Sequence, residues 1–128
     1  MNKQVYGEPI MVGGAMRMPL SRAVRAGDWV FLSGVAAIDS NGAVVTGGIE
    51  AQTQAVLEVI RDVLKLADCE MSDVVKTTVW LHDTRDFWSF NRVYATFFPD
   101  DPPARSTLKS ELMLDAKVEI EALAYRPL

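Results

Sequence analysis

The amino-acid sequence predicts an α+β layer fold in which two helices cover one face of a β-sheet. Three observations predict it. Extended and helical segments follow one another as strands, helix, strand, helix, strands. Both helical segments carry their apolar residues on one side, at spacings of three and four. The last strand alternates with a period of two, so that one of its faces is wholly apolar. A chain of 128 residues can withdraw roughly two thirds of its unfolded surface from water, so residues 1–128 are read as a single domain with a single core.

Residues 22–33 begin the regular structure as two short extended runs around Ala26-Gly27-Asp28, where glycine accepts a positive φ, and they predict a hairpin. A loop follows, with Asp39-Ser40-Asn41-Gly42 as its turn. From Ile49 to about Ala67, Val56, Val59, Ile60, Val63 and Leu64 recur at helical spacing, while Glu58, Arg61, Asp62 and Lys65 fill the opposite side. Val74 to Leu81 is β-branched and aromatic, which suits a half-buried pleated surface. Asp83 or Thr84 then offers an N-cap for a second helix, in which Phe87, Phe90, Tyr94, Phe97 and Phe98 form an aromatic stripe read as core; Pro99, Pro102 and Pro103 end it. Two strands close the chain, at about Ala104 to Leu108 and Lys117 to Tyr125. In the second, Val118, Ile120, Ala122 and Ala124 share the face that packs under the helices, and Glu119, Glu121, Leu123 and Tyr125 share the other. No helix is left to cover that second face. It carries Trp80, Leu123 and Tyr125 among polar residues, so a further copy of the chain is expected to cover it in a closed symmetric oligomer.

Composition narrows the function classes. The chain is 49% hydrophobic and 23% charged, with no apolar run near the roughly 20 residues that span a bilayer, so no membrane partner is expected. Residues 1–7 lack the apolar segment of a secretory signal and Cys69 is the only cysteine, which makes the cytoplasm the expected compartment. A net charge of −4 without a Lys/Arg cluster argues against nucleic acid as a partner. One His and one Cys argue against a zinc site, and neither a phosphate-cradling GxxxxGK[ST] nor a GxGxxG is present. No metal and no cofactor is expected.

Arg105, in Pro102-Pro103-Ala104-Arg105-Ser106-Thr107, is the foremost site candidate. Two prolines fix the approach of the strand, and a guanidinium fork matches a carboxylate in two parallel charge-assisted bonds. The alternative is a surface arginine or half of an ion pair. Glu119 and Glu121 share a strand face, where burial or mutual repulsion can separate two carboxylates into an acid and a base; solvated surface charge is the alternative. Asn91 is an amide on the aromatic stripe, placed either to satisfy a neighbouring loop or to face a substrate. His82 reads as a loop residue without a partner. Cys69 reads as non-catalytic, because Asp68 and Glu70 beside it disfavour a thiolate.

Taken together, Leu32-Ser33-Gly34, Asp73 to Val79, Asp86-Phe87 with Asn91 and Tyr94, Pro103-Ala104-Arg105-Ser106 and Val118-Glu119-Ile120-Glu121-Ala122 resemble, nearly end to end, the Rid family of reactive-intermediate deaminases, formerly called YjgF. The resemblance implies a chorismate-mutase-like (bacillary) subunit, with a mixed sheet and two helices on one face, assembled as a homotrimeric barrel with clefts between subunits. It also implies hydrolysis of reactive enamines and imines, typified by 2-aminoacrylate, to a 2-oxo acid and ammonia. Carried over by position, Arg105 grips the substrate carboxylate, Glu119 positions or activates water, Asn91 shapes the cleft, and the Ser33-Gly34 backbone adds a hydrogen bond. Glu121 becomes the structural member of the acidic pair. Two positions depart from the family pattern. Thr107 stands where its best-studied members have a Cys, and Leu20 where they have a Tyr; the more apolar mouth implies a larger imino acid or an aminomuconate-like ring-cleavage product. Two other functions compete with the deaminase. An endoribonuclease is disfavoured by a single loop histidine and the negative charge, and a non-catalytic module for small carboxylates would keep the grip of Arg105 without the chemistry.

Overall fold

The structure, a computed structural model, describes residues 3–12, 14–39 and 41–128. It contains eight strands and two helices among those residues: β1 (Lys3–Tyr6), β2 (Met11–Val12), β3 (Met16–Arg17), β4 (Ala23–Ala26), β5 (Trp29–Ala36), α1 (Ile49–Leu66), β6 (Val74–Leu81), α2 (Phe87–Phe97), β7 (Ala104–Lys109) and β8 (Val118–Tyr125). Six strands form one sheet in the order β1-β4-β5-β8-β6-β7, and β2 pairs with β3 in a separate two-stranded ribbon. Every pairing in the large sheet is antiparallel except β6 with β7, which α2 connects as a crossover, so the sheet is mixed.

Both helices lie on one face, as the periodicity requires. The buried positions of α1 include Val56, Leu57, Ile60, Val63 and Leu64, and those of α2 are Phe90 and Tyr94. Beneath them lie Val30 and Leu32 of β5, Thr77, Val79 and Leu81 of β6, and Val118, Ile120, Ala122 and Ala124 of β8, all buried. The even-numbered residues of β8 therefore face the helices, and Glu119, Glu121, Leu123 and Tyr125 face away, as expected.

The predicted hairpin is β4–β5, closed at Gly27 with φ 62°. In the predicted turn after β5, Asp39 Oδ1 accepts from the backbone N–H groups of Asn41 and Ala43, and Gly42 has φ 80°; Ser40 lies outside the described residues. Helix α1 ends in a Schellman arrangement: Asp68, at φ 56°, occupies the left-handed position, and the Cys69 N–H donates to Leu64 O at 2.9 Å. The Asp83 side chain does cap a turn, accepting from the Arg85 N–H at 2.9 Å, but this turn is a 3-10 segment, Thr84–Asp86, that leads into α2.

Three strands were not legible in the sequence. Lys3–Tyr6 has no alternation and is largely exposed; it extends the sheet by pairing with β4, in the register Lys3 to Ala26. The β2–β3 ribbon has only two residues per strand.

The face without helices carries an apolar strip. Trp29 and Phe31 of β5 are exposed beside Tyr125 and the half-buried Leu123 of β8, with Trp29 paired to Tyr125 and Phe31 to Leu123. The Trp29 and Tyr125 rings meet edge to face at 4.7 Å. Trp80 lies on the same side, half-buried, opposite Glu119.

Candidate active site

Strand register sorts the site residues onto the two faces of the sheet. Arg105 pairs with Thr77, and Thr107 with Val79, so both side chains of β7 point to the helix side. Glu119 pairs with Trp80 and with Ala36, on the open side. Within one chain, then, Arg105 and Glu119 lie on opposite faces of the sheet. Each collects its own neighbours.

On the helix side, β7 is the edge strand directly after α2, and the aromatic stripe of α2 forms a bed for Arg105. Its guanidinium carbon lies 4.9 Å from the Tyr94 ring centre, 5.4 Å from Phe90 and 5.6 Å from Phe87. Such contacts contribute about 0.5–2 kcal/mol each, and they leave the N–H edges of the guanidinium available. Among the described residues no carboxylate lies in salt-bridge range of Arg105. The bed is itself fixed: Phe90 and Tyr94 are buried, and the Tyr94 hydroxyl shares a 2.7 Å hydrogen bond with Thr77, the residue paired with Arg105. Burial raises the Tyr94 pKa, against the lowering effects of the Thr77 hydrogen bond and of Arg105, and so keeps the ring neutral. Asn91 is one turn beyond Phe87 on the same helix. Its side-chain oxygen is buried and has no donor among the described residues, an omission that costs about 1–3 kcal/mol if nothing fills it.

On the open side, Glu119 is half-buried against Gly34 of β5. A Cβ placed on Gly34 would run into Glu119 Oε2 and stand 3.3 Å from Glu119 Cδ, so a side chain here would displace the carboxylate from its present position. The β5–β8 register shifts between Leu32 and Val35, which makes Ser33-Gly34 an irregular point in the ladder next to the carboxylate. The Ser33 hydroxyl donates to Ser21 O at 2.5 Å, pinning the segment that carries Leu20, whose side chain is exposed. Burial first, and the like charge of Glu121 second, push the Glu119 carboxyl above its ordinary pKa. Glu121 itself is exposed.

Two groups of sequence-derived candidates thus emerge: Arg105, Thr107 and Asn91 on the helix side, and Glu119, Gly34 and Ser33 on the open side, with Leu20 in the loop before β4. His82 is exposed in the bend after β6. Cys69 is buried and its pKa is raised, chiefly by burial and then by Asp73; of the two acidic neighbours named from the sequence, Asp68 is the smallest contributor and Glu70 is not among the causes. What the sequence hid is the second role of Phe87, Phe90 and Tyr94. Helical spacing marks them as core, and only the parallel placement of β7 beside β6 brings Arg105 over them.

The chain resembles known proteins in sequence and in fold. The profile of the family described as Endoribonuclease L-PSP matches residues 14–126, and the chain belongs to that family. It is 44% identical over 108 residues to the chloroplastic Reactive Intermediate Deaminase A of Arabidopsis thaliana, covering 83% of this chain and 58% of that protein. To the 2-iminobutanoate/2-iminopropanoate deaminase of Mus musculus it is 38% identical over 110 residues, covering 84% and 82%. The crystal structure of RidA from an Antarctic Psychrobacter superposes with a TM-score of 0.85 at 31% identity, covering 95% of this chain and 98% of that one.

Proposed function

We propose that this chain hydrolyses reactive 2-imino acids, and the enamines in equilibrium with them, to 2-oxo acids and ammonia, in a cleft formed where two copies of the chain meet in a homotrimer. The observation that carries the reading is the Arg105 guanidinium, laid on three aromatic rings and without a carboxylate partner among the described residues. That is a preorganised anchor for a substrate carboxylate. The names of the deaminase relatives support the same class of reaction.

The remaining residues supply what an imine needs. Its carbon is already electrophilic, so the enzyme has to orient it, bring up a water and move protons. Arg105 binds the carboxylate. Asn91, on the helix that carries the aromatic bed, helps to shape the cleft. Glu119, with its carboxyl raised toward neutrality, takes a proton from the attacking water as the new C–O bond forms. Glu119 returns that proton to nitrogen, giving a carbinolamine. The carbinolamine hydroxyl then gives up its proton, which Glu119 passes to nitrogen as the C–N bond breaks and the C=O bond forms, and ammonia and the 2-oxo acid leave. Thr107 and Ser33-Gly34 add polar groups to the walls, and Leu20 adds an apolar one.

A second copy of the chain enters because one subunit holds Arg105 and Glu119 on opposite faces of its sheet. The apolar strip of Trp29, Phe31, Leu123 and Tyr125 next to the Glu119 face is the surface that a neighbour's β7 edge would cover. The ribonuclease in the family's descriptive name gains no support from the site, since the single His82 is exposed in a bend and the chain carries a charge of −4.

The test is release of ammonia and 2-oxo acid from imines generated in situ by an amino-acid oxidase with catalase. Wild type is expected to accelerate hydrolysis. Arg105→Ala should abolish both turnover and binding of a 2-oxo acid, and Glu119→Gln should remove turnover while retaining binding. Equal loss of binding in both variants would make the protein a carboxylate-binding module instead.

A further inference from the structure

Beside Thr107 the structure holds an open hollow of about 320 Å³, walled by Leu81, Phe87, Trp88, Thr107, Leu108 and Lys109. That volume is at the lower end of small-molecule sites, which run from roughly 300 Å³ upward. Thr84 completes the lining, and four of these seven residues are apolar. Phe87 belongs both to this hollow and to the aromatic bed of Arg105, and it meets Trp88 edge to face at 5.3 Å. Thr107 and Arg105 are alternate residues on one face of β7, about 6.6 Å apart along the strand. A ligand whose carboxylate sits on Arg105 therefore has its side chain directed along Phe87 into the hollow. A methyl or ethyl group would leave most of that space to water.

We propose that this hollow is the side-chain subsite of the enzyme, that it selects 2-imino acids bearing an aromatic ring, and that Trp88 is the residue that sets this selectivity. The inference rests on the deaminase reading for its chemistry and on the geometry around Phe87 for its location. Trp88 is 73% exposed beyond its edge-to-face contact with Phe87, so most of its ring is available for a ligand ring to stack against. Lys109 completes the rim. Its alternative use is as a second anion site, which would favour a dicarboxylate with an acidic side chain.

The experiment compares imines generated in situ from phenylalanine, alanine and glutamate, together with calorimetric binding of the product analogues phenylpyruvate and pyruvate. Because discrimination of a whole ring exceeds that of a single methylene, the phenylalanine-derived imine should lead the alanine-derived one by at least about tenfold in kcat/KM. Trp88→Ala should collapse that ratio, and Trp88→Phe should retain most of it. A ratio near unity, or one unmoved in Trp88→Ala, would overturn the proposal. So would a best rate on the glutamate-derived imine that is lost in Lys109→Ala. If no imine is hydrolysed, the deaminase reading falls by itself. The subsite is then judged by binding: tighter binding of phenylpyruvate than pyruvate that disappears in Trp88→Ala upholds it, and equal binding overturns it.

Discussion

Glu119 illustrates how a single side chain takes its chemistry from its surroundings. Gly34 brings a strand backbone against it and removes water, and Glu121 two residues on places a second negative charge on the same face. Both disfavour the ionised form, so the carboxyl titrates above the ordinary glutamate value of about 4.3. In the proposed role of base, Glu119 would act in its ionised form. Activity is therefore lost as pH falls through its raised pKa, and the acid limb of the kcat/KM profile should lie above the ordinary carboxylate range. Glu121→Gln removes the smaller of the two causes, so the limb should move to lower pH while the plateau persists. A limb that stays in place would take Glu121 out of the account. The pairing of these two glutamates on one strand face was legible in the sequence, because period two is all it requires. Which of them is buried was not, since that depends on Gly34, more than 80 residues away. Arg105 was equally legible as a candidate ligand, but not as a group resting on Phe87, Phe90 and Tyr94.

At the level of elements, α2 does two things. Its aromatic stripe adds to the core beside β6, and the same rings, continued to the sheet edge, hold Arg105. Helix α1 is mainly structural, and its end shows a local compromise. Asp68 occupies the left-handed position of the C-terminal Schellman motif, where a side chain is strained and glycine is not. Asp68→Gly should stabilise the protein by about 1 kcal/mol, read as a higher urea midpoint with an unchanged slope. Destabilisation would mean that the Asp68 side chain contributes more than its backbone strain costs. Helix α1 and strand β6 were predicted with accurate bounds because their burial is written in their spacing, whereas α2 begins at Phe87, after a 3-10 segment, and not directly after Asp83 or Thr84. β1 and the β2–β3 ribbon escaped because they are exposed, short or without alternation, and they owe their form to partners elsewhere in the chain.

For the whole molecule, the sheet is the organising fact. Helices cover one face; the other carries an apolar strip; and the residues expected to act together are divided between the two. A division of this kind follows from strand parity, because Arg105 and Glu119 sit at positions of opposite phase in the common register. The sequence contains that phase for β8 but not for β7, whose exposed edge position lacks a clear apolar alternation. In the proposed closed symmetric assembly, the helix-side edge of one copy would meet the open face of the next and so reunite the halves. The claim has a direct measurement. Arg105→Ala and Glu119→Gln subunits, each inactive alone, are unfolded together in equal amounts, refolded, and assayed for imine hydrolysis. If each cleft draws Arg105 from one subunit and Glu119 from its neighbour, random mixing restores about a quarter of the clefts, and about that share of wild-type activity returns. A refolded mixture as inactive as its two components would contradict the account.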